Sequence, residues 1–476
     1  DDSYPLSCYF VSTSHNTYLL SRQLFGVSSP KAYTHVISNG CRCIEIDVWD
    51  SDSFDSNGPP IVTHGLTLTE SSPFEDVCVA IGEAITDDMW PLMVSLENHA
   101  SPATQFKMVE IMKRVWGNRL VDQALEGFDT NVPPSALRGR ILLIVEWYAP
   151  EGSQPLSSED EEEEEVESTE TSPHETSKLS GLMHHLGLNE LKAKLHGGKD
   201  KPDRPKITPE LAALGVYAQS VKPKKDWLSQ PAPTDPLHLF LNISESAMSA
   251  ILPHQILKFV GQGTSLHQVR IYPKGIRIES NNYNPVPYWR GGAQICAQNW
   301  QKFDKGMQLN RAMFAGSEGW ILKPKRLLGK HVRDMDAGQE QKFEEEVDEA
   351  AILGQTATRP TMFRCKDIKV YVRAQLFHPD GDLDWKSPTV KATTWQLNAS
   401  YALTDGTESG STSEQSLMFL RFLVVHQVRF ERDVKLGTYC LRLDSWKQGI
   451  TSLLYFDLIL MWCHFTKYLR FSLMTN

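Results

Sequence analysis

The chain is predicted to fold as an α/β protein: a TIM-type (β/α)8 barrel split by a disordered acidic insert and followed by an all-β sandwich. Three observations carry the prediction. Short apolar runs alternate with longer helix-like segments up to about residue 150, and the alternation resumes near residue 209. Chemically capable side chains follow several successive runs, as they do on the C-terminal face of a parallel barrel. Between the two regions, residues 151–208 are too polar to bury a core. At 476 residues and 53.8 kDa the chain exceeds what one ordinary core accommodates.

Taken in order, the first candidate strand, Ser7–Thr13, is followed by Ser14, His15 and Asn16. The second, Cys41–Trp49, alternates with period two, so Glu45 and Asp47 share one face while Ile44, Ile46 and Val48 share the other. Two carboxylates side by side repel each other and are costly to desolvate. Such a face is either half-exposed and solvated, or relieved by a cation or by a proton on one member, and a hard metal ion is the economical answer. Pro60–Thr63 is followed by His64, and Leu92–Leu96 by Glu97, Asn98 and His99. Thr104–Trp116 has helical spacing, with apolar residues at 106, 108, 109, 111, 112 and 115, and Ile141–Glu146 is a further strand. These elements, over residues 1–150, make half a barrel.

The insert, 151–208, carries eight acids between Glu159 and Glu167, then a short Leu-containing stretch at Leu179–Leu195 and a basic, Pro-containing stretch at Gly197–Lys206. Over residues 209–326, Leu214–Val221, Leu237–Ile243, Val269–Ile271 and Ala293–Ala297 supply the missing strands. One barrel is expected rather than two halves, because a half-barrel leaves open parallel edges. A charged connector at 327–360 leads to residues 361–476. There the runs Ile368–Leu376, Val390–Leu397, Leu417–Val425, Gly437–Leu443 and Thr451–Phe456 suggest a β-sandwich. Ile459–Asn476 fits no strand-and-turn ending.

Removing the eight acids of the Glu159–Glu167 run takes the formal charge from -11 to -3, so the folded parts are nearly neutral and give no footprint for nucleic acid. The eight cysteines lack the paired spacing of a zinc site, and Cys41 and Cys43 on one strand are poorly placed for a disulfide, which points to a reduced, cytoplasmic protein. The chain begins Asp-Asp without a methionine, so upstream residues are expected. The longest apolar tract, near Leu453–Phe465, is interrupted by Asp457 and is shorter than the roughly 18 residues a membrane span needs. Any membrane contact is expected to be peripheral.

Asn16, Glu45, Asp47 and Glu97, gathered at strand ends, offer four oxygen-bearing side chains, three of them carboxylates. That donor set suits Ca²⁺ or Mg²⁺ rather than zinc. His15 and His64 add two imidazoles at the same mouth, able to donate to phosphate oxygens and to shuttle protons near neutral pH.

Four segments, Ser12–Tyr18, Gly40–Asp50, Val62–Gly65 and Ser95–His99, closely resemble the X box of eukaryotic phosphoinositide-specific phospholipase C. Ser244–Ser246, Arg270–Gly275, Ser280–Pro285 and Trp289–Ile295 resemble its Y box. The resemblance covers about residues 5–147 and 209–326, and it implies a split TIM barrel, Ca²⁺ at the site and a C2-like sandwich behind it. Asn16, Glu45, Asp47 and Glu97 match the family's calcium ligands, and His15 and His64 its catalytic histidines. The implied mechanism is attack of the inositol 2-hydroxyl on the adjacent phosphodiester, giving diacylglycerol and a cyclic phosphate that water then opens. Glu45 is the candidate general base. His64 protonates the departing oxygen, and His15 holds a phosphate oxygen. Ser244 and Arg270 match residues that hold ring phosphates, and Tyr272 one that packs on the inositol ring.

One departure concerns the headgroup. Where many relatives carry two lysines for the ring phosphates, this chain has Ile144 and Glu146, leaving Lys222, Lys224 or Lys225 as possible substitutes. In the C-terminal region, Phe419–Phe422 and Ser445–Gly449 resemble late C2 strands, while Asp380, Asp382 and Asp384 make either a loop site or a solvated turn. The expected partner is a phosphoinositide lipid at a membrane surface, met by a monomer without nucleic acid. Two other readings are a catalytically silent phosphoinositide-binding scaffold and a glycerophosphodiester phosphodiesterase. The intact histidines and oxygen ligands argue against the first, and the Y-box half against the second.

Overall fold

A computed structural model describes residues 2–20, 28–51, 58–63, 71–128, 131–148, 206–224, 226–230, 236–275, 277, 279–329, 369–379, 381–391, 417–428, 432–443, 453–456 and 467–470. Residues 151–205 of the acidic insert and the 330–360 part of the connector lie outside them, as do His64, Lys225 and Asp380. The chain divides into two compact units. The first comprises Asp1–Asn282, Gly291–Lys302 and Gly319–Leu322, and the second Tyr283–Arg290, Phe303–Glu318 and Lys323–Asn476.

In the first unit the elements run β1 (Tyr9–Val11), α1 (Pro30–Ser38), β2 (Cys43–Trp49), β3 (Ile61–Val62), β4 (Ser72–Pro73), α2 (Phe74–Glu83), β5 (Leu92–Asn98), α3 (Pro102–Trp116) and β6 (Ile141–Glu146). They continue with α4 (Pro209–Ala212), β7 (Gln219–Val221), β8 (Leu239–Ser244), α5 (Glu245–Lys258), β9 (Gln268–Tyr272), β10 (Ile295–Cys296) and β11 (Trp320–Leu322). Strands β2, β5, β6, β7, β8, β9, β10 and β1 pair in that order, every pair parallel. The ring closes because the chain beyond β1 returns to β2. Thr13 and Cys43 form a parallel bridge, Cys43 N–H donates to Ser12 O at 3.0 Å, and Ser14 N–H donates to Cys43 O at 2.8 Å. The predicted barrel is therefore present, with four staves from each side of the insert.

The period-two reading of β2 holds. Ile44, Ile46 and Val48 lie in one buried cluster with Val36 and Ile37 of α1, Phe74 and Val77 of α2, and Met108 and Met112 of α3. Glu45 and Asp47, at alternate positions, are thereby turned to the opposite side of the sheet. The same parity puts Ile141, Leu143 and Val145 of β6 in that cluster, leaving Leu142, Ile144 and Glu146 for the barrel side. Burying such aliphatic side chains contributes roughly 1.5–3 kcal/mol each, so the register of β2 is fixed by its apolar face.

One expectation needs correction. The segment Pro60–Thr63 is not a barrel stave: only Ile61 and Val62 are extended, and they pair antiparallel with Trp49 and Val48 of β2 as part of a side ribbon with β4. Another strand, β11, went unpredicted. It lies antiparallel on β1, with Trp320 opposite Val11.

The second unit contains α6 (Val286–Arg290), α7 (Lys305–Met313) and an antiparallel sheet of β12 (Lys369–Phe377), β13 (Leu383–Lys386), β14 (Val390–Lys391), β15 (Phe419–His426) and β16 (Val434–Arg442). A separate antiparallel pair joins β17 (Leu453–Phe456) to β18 (Lys467–Arg470). Val372, Leu376, Phe422, Val424 and Leu441 form the main sheet's core. Of the two readings for the Asp382 and Asp384 stretch the turn fits: Asp382 is exposed in the connection between β12 and β13, and Asp384 is exposed within β13. Asp384 accepts from Arg373 Nε at 2.7 Å and from Gln375 Nε2 at 2.9 Å, so its charge is matched by a neighbouring strand.

Candidate active site

The polar residues converge at the C-terminal ends of the staves. Register places Asp47 on β2 directly beside Glu97 on β5, and Glu45 two residues earlier on the same face. Across the ring, β9 brings Arg270 beside Asn242 of β8, and Tyr272 lies beside Ser244. Carboxylate oxygens of Glu45, Asp47 and Glu97 all lie within 4.8 Å of one another. Glu45 and Asp47 are only 1% and 7% exposed, so the solvated-face alternative for this pair is excluded.

How the chain builds the site is visible around β1. Past Thr13 the backbone turns, with Asn16 at φ 44°, a left-handed conformation that asparagine tolerates better than most residues. The turn sends Asn16 N–H to Glu45 Oε2 at 2.7 Å. It also lets side chains take over the strand ladder: Thr17 Oγ1 accepts from Glu45 N–H at 3.0 Å, and Tyr33 OH donates to Glu45 O at 3.0 Å. Tyr18, fully buried, donates its hydroxyl to Asp47 Oδ2 at 2.7 Å.

Arg270, 1% exposed, is the positive partner of this cluster. Its Nη2 pairs with Glu45 Oε1, its Nη1 donates to Asn242 Oδ1 at 3.0 Å, and Nη1 also lies 3.9 Å from Glu97 Oε1. Its guanidinium carbon is 5.8 Å from the Tyr272 ring centre. His15 stands on the other side of Glu45, with Nε2 3.9 Å from Glu45 Oε2, and its Nδ1 is hydrogen-bonded to Asn299 Oδ1 at 3.0 Å. Asn282 secures that partner: its Oδ1 accepts from Asn299 N–H at 2.6 Å, while its Nδ2 donates to Asn299 O and Lys302 O at 3.1 Å each.

Burial dominates the electrostatics. It pushes the Glu45 carboxyl up to about 7, with Arg270 pulling it down and Glu97 pushing it further up. Asp47 is raised well above the carboxylate range by burial and by Glu97 and Glu45. The His15 imidazole is pushed down to about 4, first by burial and then by the Arg270 charge. Among the described residues, one arginine, Arg270, faces the three carboxyl groups. Asp47 Oδ1 is moreover buried without a hydrogen-bond partner among the described residues. An orphaned carboxylate oxygen amid an all-oxygen donor set is what a hard divalent ion requires, so the residues present fit such an ion.

Of the other predicted residues, Ser244 is buried and accepts from Ala247 N–H at 3.1 Å as the N-cap of α5, and Tyr272 is half-buried at the end of β9. The loop after Tyr272 is fastened to α5, since Glu245 accepts from Arg277 Nε at 2.7 Å and from Lys274 N–H at 3.2 Å. His64 lies outside the described residues. Thr63, immediately before it, donates its N–H to Asp47 O at 3.3 Å. Ile144 is buried and Glu146 exposed, and Lys222 and Lys224 follow β7. Sequence reasoning missed Tyr18, Asn242, Asn282 and Asn299. The period-two pairing of Asn242 with Ser244, and the inclusion of Tyr18 and Asn282 in otherwise chemical motifs, were the available signals.

Residues 2–147 match "Phosphatidylinositol-specific phospholipase C, X domain", and residues 211–326 match the corresponding Y domain. The delta-1 1-phosphatidylinositol 4,5-bisphosphate phosphodiesterase of Rattus norvegicus is 36% identical over 335 residues, covering 68% of this chain and 41% of that protein. The 1-phosphatidylinositol 4,5-bisphosphate phosphodiesterase 1 of Candida albicans is 33% identical over 351 residues, covering 67% and 31%. The chain thus spans less than half the length of either relative. The crystal structure of L. pealei PLC21 shares the fold with a TM-score of 0.64 at 24% identity, covering 94% of this chain and 53% of that one. Among the described residues, no helix is long and apolar enough to cross a membrane. With both halves of the catalytic signature present in order on either side of the insert, the chain belongs to the phosphoinositide-specific phospholipase C family.

Proposed function

We propose that this chain is the catalytic portion of a calcium-dependent phospholipase C. Its substrate is phosphatidylinositol 4,5-bisphosphate or a less phosphorylated phosphoinositide. The products are diacylglycerol and an inositol phosphate, inositol 1,4,5-trisphosphate in the bisphosphate case. The observation that carries the reading is the trio of Glu45, Asp47 and Glu97, the first two buried, with an oxygen of Asp47 that has no partner among the described residues. Asn16 and these three residues would hold Ca²⁺, which when bound lowers the pKa of the inositol 2-hydroxyl and neutralises charge on phosphorus.

The chain's own groups do the rest. Glu45, held between Arg270 and Asn16 N–H, takes the 2-hydroxyl proton. His15 is oriented by Asn299 through Nδ1, and Nε2 is left for a phosphate oxygen. The phosphate's negative charge offsets the burial that otherwise keeps the imidazole neutral, so His15 donates there as an imidazolium. His64 protonates the departing diacylglycerol oxygen and then activates the water that opens the cyclic phosphate. Ser244 and Arg270 serve the ring phosphates, with Arg270 acting from within its pairing to Glu45, and Tyr272 packs on the ring.

In this reading residues 1–150 and 209–326 form one catalytic barrel, 361–476 is a C2-like module, and the acidic insert of 151–208 holds the mouth off an anionic leaflet. The protein acts as a cytoplasmic monomer that meets the membrane peripherally. The test is headgroup release from vesicles that each contain one phosphoinositide, in buffered Ca²⁺ and in chelator. Release of water-soluble inositol phosphate only with Ca²⁺ supports the reading. No release from any vesicle overturns it in favour of a silent binding scaffold.

A further inference from the structure

Arg270 is buried as deeply as the carboxylates it faces, and its guanidinium is shared between Glu45 Oε1, Asn242 Oδ1 and, at 3.9 Å, Glu97 Oε1. A guanidinium that only served an incoming phosphate would keep its donors at the mouth. We propose that Arg270 is the resident counter-ion of the carboxylate cluster: it keeps the metal-free barrel folded and competes with the divalent ion for Glu45. The inference rests on the divalent-cation reading of the site and deepens it.

The physical case has two sides. Without a cation, three carboxyl groups within 4.8 Å of one another, Glu45 and Asp47 buried and Glu97 partly exposed, would oppose folding, because the buried like charges are neither solvated nor paired. Arg270 supplies one positive charge from inside the barrel, and Asn242 fixes it in place. The opposite oxygen of Glu45 is already engaged by Asn16 N–H at 2.7 Å, with His15 Nε2 at 3.9 Å, so Glu45 is held between donors on both sides. Asp47 Oδ1 is left open to an ion. An ion entering there meets a fixed positive charge beside its ligands, so its affinity is lower than the carboxylates alone would give. By linkage, the bound ion weakens the Arg270–Glu45 pair by the same factor. Metal occupancy therefore becomes a variable rather than a condition of folding.

The test measures Ca²⁺ affinity by calorimetry and thermal unfolding in chelator and in excess Ca²⁺, on the chain as it stands. Arg270→Met is expected to bind Ca²⁺ about 5–150-fold more tightly than wild type, the usual span of a coupling between two sites. Its melting temperature should fall in chelator and recover with Ca²⁺, a wider gap than wild type shows. Arg270→Lys, which keeps the charge, should stay close to wild-type affinity. Combining Arg270→Met with Glu45→Gln removes one charge of each sign and should restore much of the stability lost in chelator. Unchanged or weaker Ca²⁺ binding by Arg270→Met overturns the proposal. So does equal tightening by Arg270→Lys, since charge is then not the cause. A double variant as unstable in chelator as Arg270→Met also overturns it, because lost packing then explains the loss. A wild-type chain that binds no Ca²⁺ would overturn the calcium reading of the site, and the chelator measurements would judge the counter-ion role by themselves.

Discussion

Replacing Asp47 with Asn should weaken metal binding and stabilise the metal-free protein, two effects of opposite sign from one substitution. Asp47 is 7% exposed, accepts Tyr18 OH through Oδ2, and among the described residues leaves Oδ1 without a partner. Asparagine keeps the shape and the acceptor for Tyr18 but removes a charge. At separations of 4.8 Å or less and an effective dielectric near 20, two unit charges repel by about 3.5 kcal/mol, so the repulsion relieved is large. Part of it is already relieved in the native protein, because burial raises both Glu45 and Asp47 so that they retain protons. The net gain should therefore be about 1–3 kcal/mol, comparable to removing one unsatisfied buried group. For a domain of this size that is roughly 2–4 °C in melting temperature per kcal/mol. Differential scanning fluorimetry in chelator reads the gain, and calorimetric Ca²⁺ titration reads the loss of affinity, expected to exceed about 100-fold for a direct ligand, beyond the 10–100-fold typical of an outer partner. A variant that melts lower than wild type in chelator, or that binds Ca²⁺ equally well, would refute the reasoning.

Three further outcomes follow from the same geometry. Tyr18→Phe should raise the Ca²⁺ dissociation constant about 10–100-fold while the circular dichroism spectrum is retained, because the hydroxyl that orients Asp47 is lost; unchanged affinity would mean Asp47 is held by β2 alone. The Glu45 carboxyl sits at about 7 against an ordinary 4.5, so between those values the folded chain holds a proton the unfolded chain releases. Metal-free stability should then fall as pH rises through that window, while Ca²⁺ affinity, which needs the carboxylate, should rise through it and level off above; calorimetry in buffers of different ionisation enthalpy should show proton release within the window and little above it. Ile144→Lys with Glu146→Lys should raise the rate on bisphosphate relative to unphosphorylated inositol lipid, since β6 turns both positions to the barrel side and neither now offers a cation; an unchanged ratio would assign the ring phosphates to other groups such as Lys222 or Lys224.

The barrel was legible because its register is written locally. The Ile44, Ile46 and Val48 face of β2 declares which side is core, and Glu45 and Asp47 follow from parity. The side ribbon was misread because Ile61 and Val62 carry a strand's composition whichever direction they pair. The strand at Leu383–Lys386 was missed because Asp382 and Asp384 read as a turn until β12 brings Gln375 opposite Asp384 and Arg373 within hydrogen-bond reach of it. The site's supporting contacts were hidden for a related reason. Arg270 meets Glu45 across 225 positions and Asn299 meets His15 across 284, and only closure of the ring brings them together. Sequence motifs named the polar groups at the strand ends, whereas the charge balance beneath them exists only in the closed barrel.

In the proposed reaction the carboxylate cluster supports a Ca²⁺-dependent intramolecular attack on the phosphodiester. The most direct measurement follows phosphorus resonance spectra while the chain acts on phosphatidylinositol dispersed in detergent, in buffered Ca²⁺ and in chelator. The account predicts a cyclic inositol phosphate signal that grows and then gives way to the linear phosphate when Ca²⁺ is present, with neither signal in chelator. Equal turnover in chelator, or phosphatidic acid in place of diacylglycerol, would contradict it.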